Sequence, residues 1–179
     1  VAALCVRFPA LRRGLMPYAV ISNSIPIIAF APIVIFWFGF GWEPKAIVVV
    51  MLTFFPMLVN TVAGLTSYDA LSRELLRSYN ANEWTVFWKL QFPNALPYIF
   101  NGLKICSTLS MIGAVIAEYF PGPNRGLGFE ILNEANQSAW DQVWAGVVLA
   151  CIIGIAFYMV VLGLERAMTF WHVSYRTRR

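Results

Sequence analysis

The chain alternates between long uncharged apolar runs and short segments that hold almost all of its charge. Gly14 to Trp42 runs 29 residues without a charge, Ala46 to Tyr68 runs 23, and Gln142 to Leu164 runs 23. A fourth run, Asn94 to Ala117, holds one charge, Lys104. A helix needs about 20 mostly apolar residues to cross about 30 Å of hydrocarbon. The pattern therefore predicts spans near 17–38, 46–66, 95–117 and 143–164 in an all-α, polytopic transmembrane helical bundle. A soluble fold of buried long helices needs polar faces that three of these runs do not supply.

Composition sharpens this reading. Hydrophobic residues make up 59% of the 179 and charged residues 12%, against about 25% charged in a soluble domain. The net charge of +4 does not indicate nucleic acid, because the basic residues lie in short clusters at the ends of apolar runs. Cys5, Cys106 and Cys151 are odd in number, have no Cys-x-x-Cys pairing and lie in apolar context, so they read as small hydrophobes. A single histidine, His172, argues against a histidine metal site or catalytic triad within the chain. We expect no catalytic residue and no metal. Val1 to Phe8 is almost wholly apolar, with Arg12 and Arg13 after it, the reverse of a signal peptide. It reads as the cut end of an earlier span, and residues 1–179 as a single transmembrane domain truncated at its amino terminus.

Lys and Arg orient the bundle. Residues 7–13, 73–89 and 166–179 carry ten basic residues between them, whereas the alternate loops carry only Lys45 and Arg125. The richer set belongs on the cytoplasmic side. The carboxy terminus is then inside, and the loops 39–45 and 118–142 face outward. Lys104 is expected to snorkel toward the cytoplasmic interface as an anchor. Trp37, Trp42, Tyr119, Trp140 and Trp144 fall at outer ends and Trp84, Trp88 and Trp171 at inner ones, an aromatic belt. Pro26, Pro32 and Pro56 lie within spans, where neighbouring helices can satisfy the freed carbonyls. Gly113 with Ala117, and Ala150 with Gly154, have the spacing of close helix approach.

Residues 67–94 form a patterned cytoplasmic loop. Asp69 can cap a helix from Ala70 to Tyr79, with Leu71, Leu75 and Tyr79 on one face and Arg73 and Arg77 on another. Asn80 suits a left-handed break. Asn82 can cap a second helix bearing Glu83, Trp84, Phe87 and Trp88. Pro93 is expected to end it and Asn94 to cap the next span. This pattern fits equally a hairpin lying at the lipid headgroups and a docking element for a cytosolic partner. In the outer loop, Pro121-Gly122-Pro123, Gly126 and Gly128 precede a predicted short helix near 129–136.

Glu74-Leu75-Leu76, Asn80 six residues after Glu74, then Leu90 and Phe92-Pro93 together resemble the EAA loop of binding-protein-dependent ABC importer permeases. That loop reads Glu-Ala-Ala, three residues, Gly, nine residues, Ile-x-Leu-Pro. The spacing matches throughout, with identity at Glu74 and Pro93. Ile27 to Gly41, Phe55 to Asn60, Leu96-Pro97 with Gly102-Leu103-Lys104, Gly126-Leu127-Gly128 and Glu165-Arg166 are similar to the nitrate, sulfonate, taurine and pyrimidine-precursor branch of that family. The outer Glu118 to Pro123 stretch and the tail from Trp171 look more like its vitamin- or pyrimidine-precursor members.

The resemblance implies a type I permease fold of six spans, of which this chain would hold the last four, in a bacterial inner membrane. It implies a permease subunit for a small polar solute, with no enzymatic activity of its own. Two permease copies would form the pathway, an extracytoplasmic binding protein would deliver substrate, and two cytosolic ATPase subunits would bind ATP and Mg. No cofactor is expected on this chain. The ATPase-coupling loop would comprise Arg73, Glu74, Leu75, Leu76, Arg77, Tyr79 and Asn80, with Leu75, Leu76 and Tyr79 in the partner groove and Glu74 and Arg77 making orienting polar contacts. Glu118 and Asn60 are candidates for the pathway or outer gate. The competing classes are an ATP-independent channel or secondary transporter, a membrane-embedded enzyme and a structural anchor. The first commonly places ionisable residues within its spans, and here only Lys104 qualifies.

Overall fold

The structure, a computed structural model, describes residues 1–24, 26–120 and 126–169, with the side chains of 19, 20, 22–24 and 28 excepted. The described residues are helical with short connections. Helices α1 (Ala2–Arg7), α2 (Pro9–Ser24) and α3 (Ile27–Phe38) lead into α4 (Glu43–Thr66). A short helix, α5 (Ala70–Ser78), and a single turn, α6 (Glu83–Val86), follow. A π-helical segment, Phe87–Gln91, then runs directly into α7 (Phe92–Glu118), and α8 (Leu127–Asn136) and α9 (Trp140–Met168) complete the chain. Pro121-Gly122-Pro123, Arg125 and the tail with Trp171 and His172 lie outside the described residues.

Three stretches are long and apolar enough to cross a membrane: Glu43–Thr66, Glu83–Glu118 and Trp140–Met168. The run predicted as one span over 17–38 is two helices instead, α2 ending at Ser24 and α3 beginning behind Pro26. Proline has no N–H to give the preceding turn, and its ring disfavours helical geometry in the residue before it. Pro32 and Pro56 stay inside α3 and α4. Gly39, at φ 79°, ends α3, and its amide donates to the Ile35 carbonyl at 2.8 Å.

Helices α4 and α7 make the most extensive pairing. Glycines bring them flush: a Cβ on Gly64 would lie 2.6 Å from Cβ of Tyr98, and one on Gly102 would lie 3.0 Å from Cβ of Asn60. Gly113 is buried against Val49 and Leu52, as its spacing suggested. Gly154 is different, since a Cβ there would meet only Met111, at an ordinary 3.6 Å. Hydroxyls in the spans bond back to their own helix, for example Thr53 to the Val49 carbonyl at 2.8 Å and Thr61 to Met57 at 2.7 Å. Lipid offers no alternative partner.

Three small cores hold the other helices. Ala31, Val34, Val48 and Ala117 join α3, α4 and α7. Cys5, Leu58 and Val62 seat α1 on α4. Leu96, Phe100 and Val161 join α7 to α9. The most apolar stretch of α9 is only 6% buried, so its Ile, Val and Met side chains face outward, as lipid-facing residues do.

Candidate functional site: the loop unit between α4 and α7

Helix α5 ends on a complete left-handed stop. Asn80 sits at φ 55°, the Ala81 amide donates to the Leu76 carbonyl at 3.1 Å, and the Asn80 amide donates to Arg77 at 2.9 Å. This pairing satisfies carbonyls that a helix end otherwise leaves open, and asparagine tolerates the conformation. Asn82 then caps α6, its Oδ1 accepting from the Thr85 amide at 2.8 Å and the Thr85 hydroxyl at 2.7 Å. Asp69 occupies the N-cap position of α5, but its side chain makes no capping bond. The expected closure by that carboxylate does not form.

Glu83 ties the two helices together. Arg77 donates to it at 2.9 Å and Arg73 at 3.3 Å, and the Arg73 guanidinium lies 5.9 Å above the Tyr68 ring. The Arg77 hydrogen bond, with Arg73 beside it, holds the Glu83 carboxyl below its ordinary value; desolvation opposes them. Trp84, Phe87, Trp88 and Phe92 form an aromatic row along the next turns. A cavity of about 400 Å³ opens between this unit and α1, lined by Arg7, Tyr68, Arg73, Glu83, Trp84 and Phe87 among others.

Pro93 does not end the second helix as expected. The Phe92 amide donates to the Phe87 carbonyl, and this wider turn carries the backbone past Pro93 into α7. Proline fits there because the first turn of a new α-helical stretch does not use that N–H. Nor does Asn94 cap the span; its Nδ2 donates to Ser67 Oγ at 3.0 Å and ties α7 to the end of α4.

The exposed apolar stripe is Leu71, Leu75 and Tyr79, which are 71%, 57% and 77% exposed. Leu76 is half-buried and does not belong to that stripe. The backbone angle explains the change: residues four apart share a helix face, whereas Leu76 is one position round from Leu75. Arg77 is engaged with Glu83 of its own chain, and Glu74 is exposed and makes no ion pair among the described residues.

Two other candidates have structural partners. Glu118 accepts from Lys45 Nζ at 3.4 Å and from the Gly128 amide at 2.9 Å, which joins the start of α4 and the end of α7 to the start of α8. Gly128 leaves no room for a side chain against the Val115 carbonyl and the stem of Glu118. Asn60 accepts from Asn101 Nδ2 at 3.1 Å and donates to the Pro56 carbonyl at 2.9 Å, within the α4–α7 seam. Lys104 does not snorkel as an isolated anchor. Its Nζ donates to both carboxylate oxygens of Glu165, at 2.9 and 3.1 Å. Glu165-Arg166 stood in the sequence as a motif, but no spacing rule links residues 61 apart.

The family described as binding-protein-dependent transport system inner membrane component matches residues 1–172. The chain belongs to that family. The described residues form an all-α bundle with three stretches long and apolar enough to span a membrane, as fits an inner membrane component. The chain is 36% identical over 159 residues to the formylaminopyrimidine transport permease protein ThiX of Halalkalibacterium halodurans, covering 89% of this chain and 63% of that protein. It is 34% identical over 166 residues to the riboflavin transport system permease protein RibX of Chloroflexus aurantiacus, covering 92% and 61%. The taurine transport system permease protein TauC of Escherichia coli is 30% identical over 164 residues, covering 92% and 59%. The chain thus spans about three fifths of the length of these relatives.

Proposed function

We propose that this chain belongs to the permease subunit of an ATP-driven importer and that α5 is its docking helix for a cytosolic ATPase. The observation that carries this reading is the division of α5 into two faces. Arg73 and Arg77 pin one face to Glu83. The other presents Leu71, Leu75 and Tyr79 to solvent on an element with no buried residue. Exposed ion pairs of this kind add little stability on their own, but they orient α5 against α6. A lever needs that fixed orientation, and a helix with complete internal bonds transmits a push that a flexible loop would absorb.

The basic-residue asymmetry supports a cytoplasmic loop unit and a cytoplasmic carboxy terminus. An extracytoplasmic binding protein and a second permease copy complete the assembly in this reading, with ATP and Mg held by the ATPase and no cofactor on the permease. ATP hydrolysis belongs to the ATPase, and the permease catalyses no reaction. Asn60 and Glu118 serve the pathway through their bracing contacts on α4 and α7 rather than as free polar groups. The relatives named for formylaminopyrimidine and riboflavin transport are more similar than the one named for taurine. They favour a small heterocyclic vitamin precursor as the solute.

Co-purification tests the docking. The full-length subunit, expressed with the ATPase encoded beside it, is expected to retain the ATPase from solubilised membranes. Leu75→Asp should abolish retention by burying an unpaired charge in the interface, whereas Ser78→Ala should not. Retention by the inserted Leu75→Asp protein would place docking elsewhere.

A further inference from the structure

Helices α4 and α7 are joined along their length by flush glycine contacts, the Asn60–Asn101 bond and the Asn94–Ser67 bond. Helix α7 is also continuous, through the π-helical turn, with the α5–α6 unit. These elements form one body. Helix α9 meets α7 less extensively than α4 does, and it also packs on α8, where a Cβ on Gly146 would lie 2.7 Å from Ile131 Cγ1. Leu96, Phe100 and Val161 make the apolar contact, and a groove of about 480 Å³ separates the helices further along, lined by Met111, Val115, Cys151 and Ile155 among others. The tie between α7 and α9 that fixes a position is Lys104–Glu165. It is the sole ion pair between these two helices among the described residues.

We infer that the Lys104–Glu165 pair is a clamp that makes α9 move in register with the body carrying the loop unit. Helix packing in a membrane holds register through close small-residue contacts, and between α7 and α9 the small residue Gly154 reaches Met111 only at an ordinary 3.6 Å. A two-oxygen ammonium contact has one register. The Glu165 side chain is 8% exposed and Lys104 19%, so separation strands a charge in a poorly solvated place. Breaking such a pair is strongly unfavourable, yet replacing both partners by apolar groups is often neutral for stability. Positional specificity is therefore what the pair contributes beyond packing. The backbone around it is braced too: the Thr169 hydroxyl donates to the Glu165 carbonyl at 2.6 Å, and Ser107 and Thr108 donate to the Lys104 carbonyl at 2.7 and 3.1 Å. Both residues are positioning residues; neither needs to touch solute.

The inference that the clamp carries ATPase-driven motion rests on the docking reading above; the clamp itself does not. Spin-label distances between Leu103→Cys and Leu164→Cys, both exposed positions, report the α7–α9 register in a cysteine-free full-length subunit. With the native pair, one narrow distribution is expected, unchanged when the ATPase complex is trapped with ATP and vanadate. A distance from Ser78→Cys to a label on the ATPase serves as the control for nucleotide response at the loop unit. In Lys104→Met/Glu165→Met the 103–164 distribution should broaden and become nucleotide-dependent, and Lys104→Glu/Glu165→Lys should restore the narrow one. A double-Met variant that stays narrow, or a native pair whose 103–164 distance shifts on trapping, overturns the clamp. A lower melting temperature with an unchanged distribution also overturns it, leaving a merely structural role. If the native subunit fails to bind the ATPase while the double-Met subunit alone still broadens, the docking reading fails and the clamp stands.

Discussion

Gly64 and Gly102 set how closely α4 and α7 can approach, and neither site can accept a methyl group without displacement. At Gly64 the obstacle includes backbone, with the Ala95 Cα 3.0 Å from a built Cβ. Gly64→Ala is expected to cost about 1–3 kcal/mol through overpacking, read as a lower melting temperature in detergent. Gly154→Ala, whose Cβ would meet only Met111 at an ordinary 3.6 Å, should be close to neutral in the same assay. Glu83 carries a pH prediction. Its folded value is depressed by Arg77 and Arg73, so its stabilising contribution is present above the ordinary carboxylate value and is lost as pH falls through the lower, folded one. Amide protection factors in α5, taken relative to the intrinsic exchange rate at each pH, should therefore fall on acidification, and Glu83→Gln should show the lowered protection already at neutral pH. A wild-type loop whose exchange protection ignores acidification would contradict the brace.

At the scale of elements, the loop unit depends on its left-handed stop. Asn80 at φ 55° can be replaced by glycine with little strain. A β-branched residue there costs about 1–2 kcal/mol. Asn80→Val should thus free α5 from its closing bonds and raise its proteolytic sensitivity, while Asn80→Gly keeps native resistance. The break, the Asn82 cap and the Leu71–Leu75–Tyr79 stripe were all readable from residue type and helical spacing, since each is local. The failures at Asp69, Pro93 and Asn94 have a common cause. Each residue had a favoured local role, and a neighbouring element or an altered turn offered something else: Ser67 took Asn94, and the π-helical turn carried the chain through Pro93.

For the whole molecule, the orientation prediction is direct. Single cysteines at Ser78 and Gln137, both exposed, should react with an impermeant maleimide from opposite sides of the membrane, Ser78 only after the membrane is opened and Gln137 in intact cells after outer-membrane permeabilisation. Labelling of both from one side would reverse the reading of the Lys and Arg asymmetry. The bundle also shows why Lys104 looked like a lone anchor in the sequence. Its partner lies 61 residues away on α9, and no periodicity connects two positions on different helices. Glu118, too, has partners that its place in the sequence did not announce, Lys45 and the Gly128 amide.

The sequence by itself determined the all-α membrane class, three of the long apolar helices, the break at Asn80 and the exposed face of α5. These follow from hydrophobic length, helical period and backbone preference, which act within one element. Only the tertiary structure decided that Asn94 is taken by Ser67 and that Lys104, Glu118 and Asn60 are bound by partners. Those outcomes depend on which polar atoms meet when distant segments pack, where a buried charge or amide must find a partner in space and sequence distance carries no penalty.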